Sequence, residues 1–187
     1  MTNLKETHLN STHIFKGRLL DVWSDEVKLP NGHNSVREYI KHPGAVVIIP
    51  VLPNGSLLLI RQFRYPMSEL EIELPAGKID EDESLDETAN RELKEETGYI
   101  SNKLTRLAEI HPCIGYSNER MWLYLAEDLT EVGAEPDSDE FVELMPLSLD
   151  ECIALLKRGE IKDTKTIVGL FWAEKILNGK WSPQQTK

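Results

Sequence analysis

Strands interleaved with three helices, one of them in the middle of the chain, predict a mixed α/β sandwich of the α+β kind, fronted by a small antiparallel β lobe. Three observations carry that expectation. Apolar runs of strand length alternate with Pro, Gly and Asn turns, a capped and glutamate-rich helix occupies the centre, and two more capped helices close the chain. With 187 residues, 40% hydrophobic and 28% charged, the composition is that of one globular domain with an appended lobe, large enough to bury a core.

The elements follow in order. Ile14 and Phe15, Leu19 to Trp23, Val27 to Leu29 and Val36 to Ile40 read as short strands, with Pro30-Asn31-Gly32 as a hairpin turn. Pro43-Gly44 ends this leading lobe, residues 1–43, and a main domain is expected over 44–180 with a tail at 181–187. Ala45 to Leu52 and Leu57 to Arg64 are two hydrophobic strands joined by the turn Pro53-Asn54-Gly55-Ser56. Leu70, Ile72 and Leu74 alternate with Glu71 and Glu73 and deliver the chain into a glycine loop at Pro75-Ala76-Gly77.

Ser84 followed by Glu87 is a capping box and Gly98 a stop, so a helix is expected over Leu85 to Thr97. Strands at Leu104 to Ile110 and Met121 to Ala126 come next. An acidic loop from Glu127 to Glu140 leads to a strand from Phe141 to Leu147. One closing helix is capped by Ser148 with Glu151; the other runs from near Asp163 to Asn178-Gly179.

Charge and cysteine usage exclude several function classes. Lys and Arg number 21 against 32 Asp and Glu, a net charge of -11, so the average field repels nucleic acid and anionic lipid. A small phosphate ligand stays compatible, because an acidic cluster loaded with divalent cations is locally positive. Two cysteines, Cys113 and Cys152, far apart and in no metal-ligand spacing, suggest neither a zinc site nor a disulfide framework. The N-terminus lacks an apolar leader, and the longest apolar runs are strand-sized, so the expectation is a cytoplasmic chain with no membrane partner.

The central helix carries an anomaly. At 100° per residue from Leu85, Ala89 lies at about 40° and Leu93 at about 80°, an inward stripe, yet Glu92 and Glu96 fall at about -20° and +20° on the same face. Glu87, Asn90 and Lys94 point away. A Glu-rich helix alone is usually a solvated face; an inward carboxylate needs a proton, a hydrogen bond or a cation. Glu92, Glu95 and Glu96, at i, i+3 and i+4, stand close enough to share hard cations through oxygen, and Mg²⁺ suits such a set.

The spacing around them is specific. From Gly77 the chain places Glu83, then Arg91-Glu92-Leu93, then Glu95-Glu96, then Gly98. This resembles the Nudix box, with every fixed position filled. Seven fixed residues, each used at about 7%, coincide on the order of once in a hundred million starting points. The resemblance implies a Nudix-type αβα sandwich and a hydrolase of nucleoside diphosphates linked to another group. It also implies Glu92, Glu95 and Glu96 as catalytic metal ligands with the Ala76 carbonyl, Mg²⁺ (or Mn²⁺) as cofactor, and Glu83 with Arg91 as a structural pair. Gly77 and Gly98 are expected to permit backbone turns at the two ends.

The likeness runs from about Phe15 to Gly179. Lys41-His42-Pro43-Gly44-Ala45-Val46, Arg61-Gln62-Phe63-Arg64, Glu73-Leu74-Pro75-Ala76-Gly77-Lys78 and Asp163-Thr164-Lys165-Thr166 are all similar to bacterial ADP-ribose pyrophosphatases. That group implies Glu140, before Phe141-Val142-Glu143, as the catalytic glutamate. It also implies Arg64, with Arg61 second, at the diphosphate, joined by Glu73 on the substrate side, and an aromatic from the leading lobe, Trp23 or Tyr39, on the base. ADP-ribose is the favoured substrate, and GDP-mannose or another nucleotide sugar the rival. A non-catalytic nucleotide sensor is the alternative of another class, and its expected signature, a damaged box, is not seen. Cys113-Ile114-Gly115 replaces the group's usual Ser-Pro-Gly, a departure that bears on sugar specificity. The resemblance further implies a homodimer whose leading lobe is the dimerisation arm.

Overall fold

The computed structural model describes residues 3–134 and 141–183. They divide into two compact units, one comprising the chain up to Gly44 together with His111–Arg120, the other Ala45–Ile110 with the remainder from Met121.

The first unit is an antiparallel sheet in the order β1 (Thr7–Lys16), β2 (Asp21–Lys28), β3 (Asn34–Ile40). The expected hairpin forms, with Lys28 opposite Asn34, Trp23 opposite Tyr39 and Gly32 in the turn at φ 88°. Two expectations are corrected. β1 is ten residues long rather than a stub at Ile14 and Phe15, and β2 runs unbroken through Ser24, Asp25 and Glu26. β1 is exposed along its whole length, so it never needed the apolar alternation that reveals a strand in sequence. His111–Arg120 joins this unit through Ile40, whose N–H donates to the Tyr116 carbonyl at 2.9 Å and whose carbonyl accepts from Asn118 N–H at 3.2 Å.

The second unit is built on β4 (Ala45–Pro50), β5 (Leu57–Arg64), β6 (Glu69–Glu73), β7 (Ala76–Lys78), α1 (Leu85–Thr97), β8 (Tyr99–Ile110), β9 (Met121–Glu131), β10 (Val142–Leu147), α2 (Leu149–Lys157) and α3 (Thr164–Leu177). One sheet, β7-β4-β9-β8, is mixed, β4 and β9 being parallel; the other, β10-β5-β6, is antiparallel. All of β4 is buried, which accounts for its uninterrupted apolar run. Val47 and Ile49 pack with Cys152 of α2 and Leu170 and Ala173 of α3, whereas Val46 and Ile48 pack with Ala89 and Leu93 of α1. Helices therefore cover both faces of the sheet, the αβα sandwich that the sequence predicts.

Capping sets the helix ends. Ser84 and Ser148 each form a complete capping box and Asp163 caps α3. Gly98 takes the left-handed conformation after α1, and its N–H donates to the Lys94 carbonyl at 2.8 Å. Three boundaries differ from expectation. Ala76-Gly77-Lys78 is a short strand against β4 rather than a loop, β8 starts at Tyr99, and β9 continues to Glu131, into the stretch that its acids mark as a loop. The pairing of Tyr99 with Glu131 accounts for the last two, since the ladder carries both strands through polar residues that break the apolar pattern.

Candidate active site

α1 turns Ala89 and Leu93 fully inward, and Glu92 and Glu96 go with them, only 9% and 4% exposed. Glu95 is half-buried beside them. Asn90 is half-buried instead of solvated, because its Oδ1 accepts the Ser101 N–H at 3.0 Å.

Arg91 organises the acidic cluster. Its Nη1 donates to Glu92 Oε1 at 2.7 Å and Glu95 Oε2 at 2.9 Å. Nε and Nη2 donate to the two oxygens of Glu83 at 2.8 and 2.9 Å, and Nη2 also to the Lys78 carbonyl at 3.0 Å. The loop carrying Glu83 is thus tied to the helix by a fork of charge-assisted bonds. The Arg91 hydrogen bond, opposed by burial and aided by the Thr88 hydroxyl, takes the Glu83 carboxyl down to about 2. The same bond to Glu83, against burial and with the charge of Glu92, pushes the Arg91 guanidinium up.

The strand β7 passes directly over these acids. The Ala76 N–H donates to Glu96 Oε2 at 3.0 Å. A Cβ on Gly77 would lie 1.9 Å from Glu92 Cδ, so glycine lets the Glu92 carboxylate lie against the strand, and any side chain here would displace it. The expected reason, a turn needing positive φ, does not hold, because Gly77 is absent from the positive-φ glycines whereas Gly98 is among them.

These residues suit a hard divalent ion in chemistry. The donor set is all oxygen, and three carboxylates, those of Glu83, Glu92 and Glu95, share one guanidinium. As placed, the carboxylates point at protein donors, and among the described residues no three His, Cys, Asp or Glu side chains are gathered tightly enough to hold a metal ion. Turning Glu92 and Glu95 away from Arg91 is the side-chain motion that ion binding would require.

A second polar cluster lies along β5 and β6. Arg64 donates through Nε and Nη2 to Glu73 at 2.6 and 2.8 Å, leaving Nη1 as the edge not engaged with Glu73. Lys165 pairs with the same carboxylate. Burial pushes the Glu73 pKa up, but the Arg64 hydrogen bond and the nearby Lys165 charge outweigh it and hold the carboxyl below its ordinary range. Arg64 also feels the charge of Glu96, so the two clusters adjoin. Arg64, Met67, Glu73, Lys162 and Lys165 border an open groove of about 400 Å³. Arg61 is not part of it, because strand alternation sends it to the other face, where it pairs with Glu143 of β10.

In the first unit, Trp23 and Tyr39 sit opposite each other on β2 and β3. The Trp23 ring is stacked on His13 at 4.6 Å and carries the Lys41 Nζ 3.3 Å from its centroid. His13 and Lys41 therefore both contact the indole, and Trp23 Nε1 donates to Asp21 Oδ1 at 2.7 Å. The Tyr39 hydroxyl donates to Asp25 at 3.2 Å. Glu140 lies outside the described residues.

Sequence reasoning assigned no role to Asp163, Lys165 or Thr166, although it singled out their stretch. The Asp163-x-x-Thr166 spacing is a capping signal, but Glu73, the partner of Lys165, is 92 residues away.

A sandwich whose central loop and helix turn glutamates inward is the class of protein that this fold and site define. Residues 41–168 match the NUDIX domain. An ADP-ribose pyrophosphatase of Bacillus subtilis (strain 168) is 40% identical over 176 residues, 93% of this chain and 95% of that protein. A methanol dehydrogenase activator of Bacillus methanolicus is 38% identical, over 91% and 93% of the two chains. The crystal structure of an ADP compounds hydrolase superposes with TM-score 0.86 at 30% identity, covering 97% of this chain and all of that one. The chain belongs to the Nudix hydrolase family.

Proposed function

We propose that the protein hydrolyses the diphosphate linkage of an ADP-sugar, ADP-ribose foremost, so that ADP-ribose and water give AMP and ribose 5-phosphate. The observation that carries this reading is the burial of Glu92 and Glu96 beside Glu95, with one guanidinium shared among the cluster. Glu92, Glu95, Glu96 and the Ala76 carbonyl are the ligands proposed for Mg²⁺ or Mn²⁺. Such an ion, when bound, neutralises phosphate oxygens and makes water a better nucleophile.

The chain's own groups do the remainder. Arg64, held by Glu73, offers its other guanidinium edge to a diphosphate oxygen. Arg91 pins the Glu83 loop, so the glutamates keep their orientation. Glu140 is proposed to accept the proton of the attacking water. A cytoplasmic location and a homodimer are the accompanying inferences, the dimer supported by Leu9, Ile14 and Phe15 exposed on the edge strand β1.

Turnover of a nucleotide-sugar panel with and without Mg²⁺ tests the reading. ADP-ribose should be hydrolysed fastest and only with the ion, and Glu96→Gln should lower kcat about 100-fold or more. GDP-mannose outpacing ADP-ribose would transfer the assignment to that sugar nucleotide. Binding with no release of AMP would make the protein a sensor.

A further inference from the structure

Three consecutive residues, the two that link β6 to β7 and the first of β7, are each gripped by a different element. The Leu74 N–H donates to Thr166 Oγ1 of α3 at 2.8 Å. The Pro75 carbonyl accepts from the Ile48 N–H of β4 at 2.8 Å, and the Ala76 N–H donates to Glu96 of α1 at 3.0 Å. Proline has no amide hydrogen, so every backbone donor of this segment is committed. One residue earlier, Glu73 takes Arg64 and Lys165.

The α3 end of this arrangement is a closed network. Lys165, 8% exposed, bonds both Glu73 and Asp163 Oδ2, the latter at 3.0 Å. Asp163 Oδ2 also accepts the Thr166 N–H at 3.0 Å and the Thr166 hydroxyl at 2.6 Å. Thr166 is fully buried, its proton given to Asp163 and a lone pair to Leu74.

We propose that Lys165 and Thr166 are positioning residues for the ion-binding glutamates. From the first turn of α3 they clamp residues 73–76, so that Ala76 meets Glu96 and Arg64 is fixed beside them. This rests on the reading of Glu92, Glu95 and Glu96 as ligands. Two features separate the clamp from packing. Burying an ammonium is costly where a hydrocarbon chain would fill the space without that cost, and Lys165 directs its charge to the carboxylate that holds Arg64. Thr166 acts two residues from the Ala76 peptide, and the apolar packing of α3 is supplied by other side chains, Leu170, Ala173, Ile167 and Ile176 among them.

Thr166→Val keeps the shape and removes the hydroxyl; Thr166→Ser restores it. Mn²⁺ binding followed by electron paramagnetic resonance, together with kcat and KM for ADP-ribose across Mg²⁺ concentrations, would be compared for wild type, both variants and Lys165→Met. Thr166→Val should weaken Mn²⁺ binding about ten-fold and lower kcat at saturating substrate, with Thr166→Ser recovering both. Lys165→Met should raise KM as Arg64 loses its fixed position. Wild-type Mn²⁺ affinity and kcat in Thr166→Val, with only the melting temperature lowered, would overturn the proposal. If Thr166→Val does not fold, unchanged Mn²⁺ affinity and kinetics in Lys165→Met overturn it equally. The Mn²⁺ titration needs no substrate, so a wild type that cleaves no nucleotide sugar would sink the functional reading while the clamp is still judged by ion binding.

Discussion

Arg91 serves Glu83, Glu92 and Glu95 at once, and its bond to Glu83 has a consequence for acid stability. The Glu83 carboxyl titrates at about 2 in the folded protein against an ordinary 4.5. The fold therefore favours the ionised form, and the stabilisation is complete above about pH 4.5 and disappears as pH falls towards 2. Glu83→Gln should flatten the acid-side decline of Tm over that window and lower Tm at neutral pH. The shift should be small, on the order of 2–4 °C, because solvent reaches the pair. Melting curves from pH 7 down to 2 check this; parallel curves for the two proteins would remove the role assigned to the pair. Glu92 and Glu96 were legible in sequence because two acids interrupt a regular apolar stripe. The neighbours of Trp23 were not, since His13 reaches the ring through sheet pairing that spacing does not encode.

At the scale of elements, α1 depends on how it stops. Gly98 has φ 79°, and a Cβ there would come 2.8 Å from the Ala134 nitrogen and 3.1 Å from the Gly133 carbonyl carbon. Neither backbone atom can swing aside as a side-chain end could. Gly98→Ala should destabilise the protein by about 1–2 kcal/mol from the left-handed backbone alone, and further from the contact. Thermal unfolding by circular dichroism reads this, and an unchanged Tm would mean that the turn after α1 adapts freely. The helices and β4 to β6 were legible because caps, turns and apolar runs are local signals. β1 was not, because hydrogen bonding to β2 rather than burial of a face holds it, and the start of β8 and the end of β9 were not, because Tyr99 and Leu129 pack on the core among polar neighbours that hide the alternation.

At the scale of the whole molecule, the proposed dimer is tested by sedimentation of the intact chain, which should run at twice the mass of 21.3 kDa. Ile14→Glu on exposed β1 should shift it towards the single chain, and an intact protein already monomeric would refute the assembly. The sandwich architecture was readable from element order. The two-unit division was less so, because His111–Arg120 joins the leading sheet through backbone bonds to Ile40, a long-range pairing invisible in composition.

β4, which feeds both cores, has a further implication. Its sequence Ala45-Val-Val-Ile-Ile-Pro50 offers nearly the same volume to either side, so a slip by one residue would swap the two layers at little hydrophobic cost. Alignment must therefore come from outside the strand: from the parallel ladder to β9, from the three-residue ladder to β7, and from the Ile48 amide on the Pro75 carbonyl. The segment that fills the interior most thoroughly carries the least information about its own placement, and its neighbours supply it.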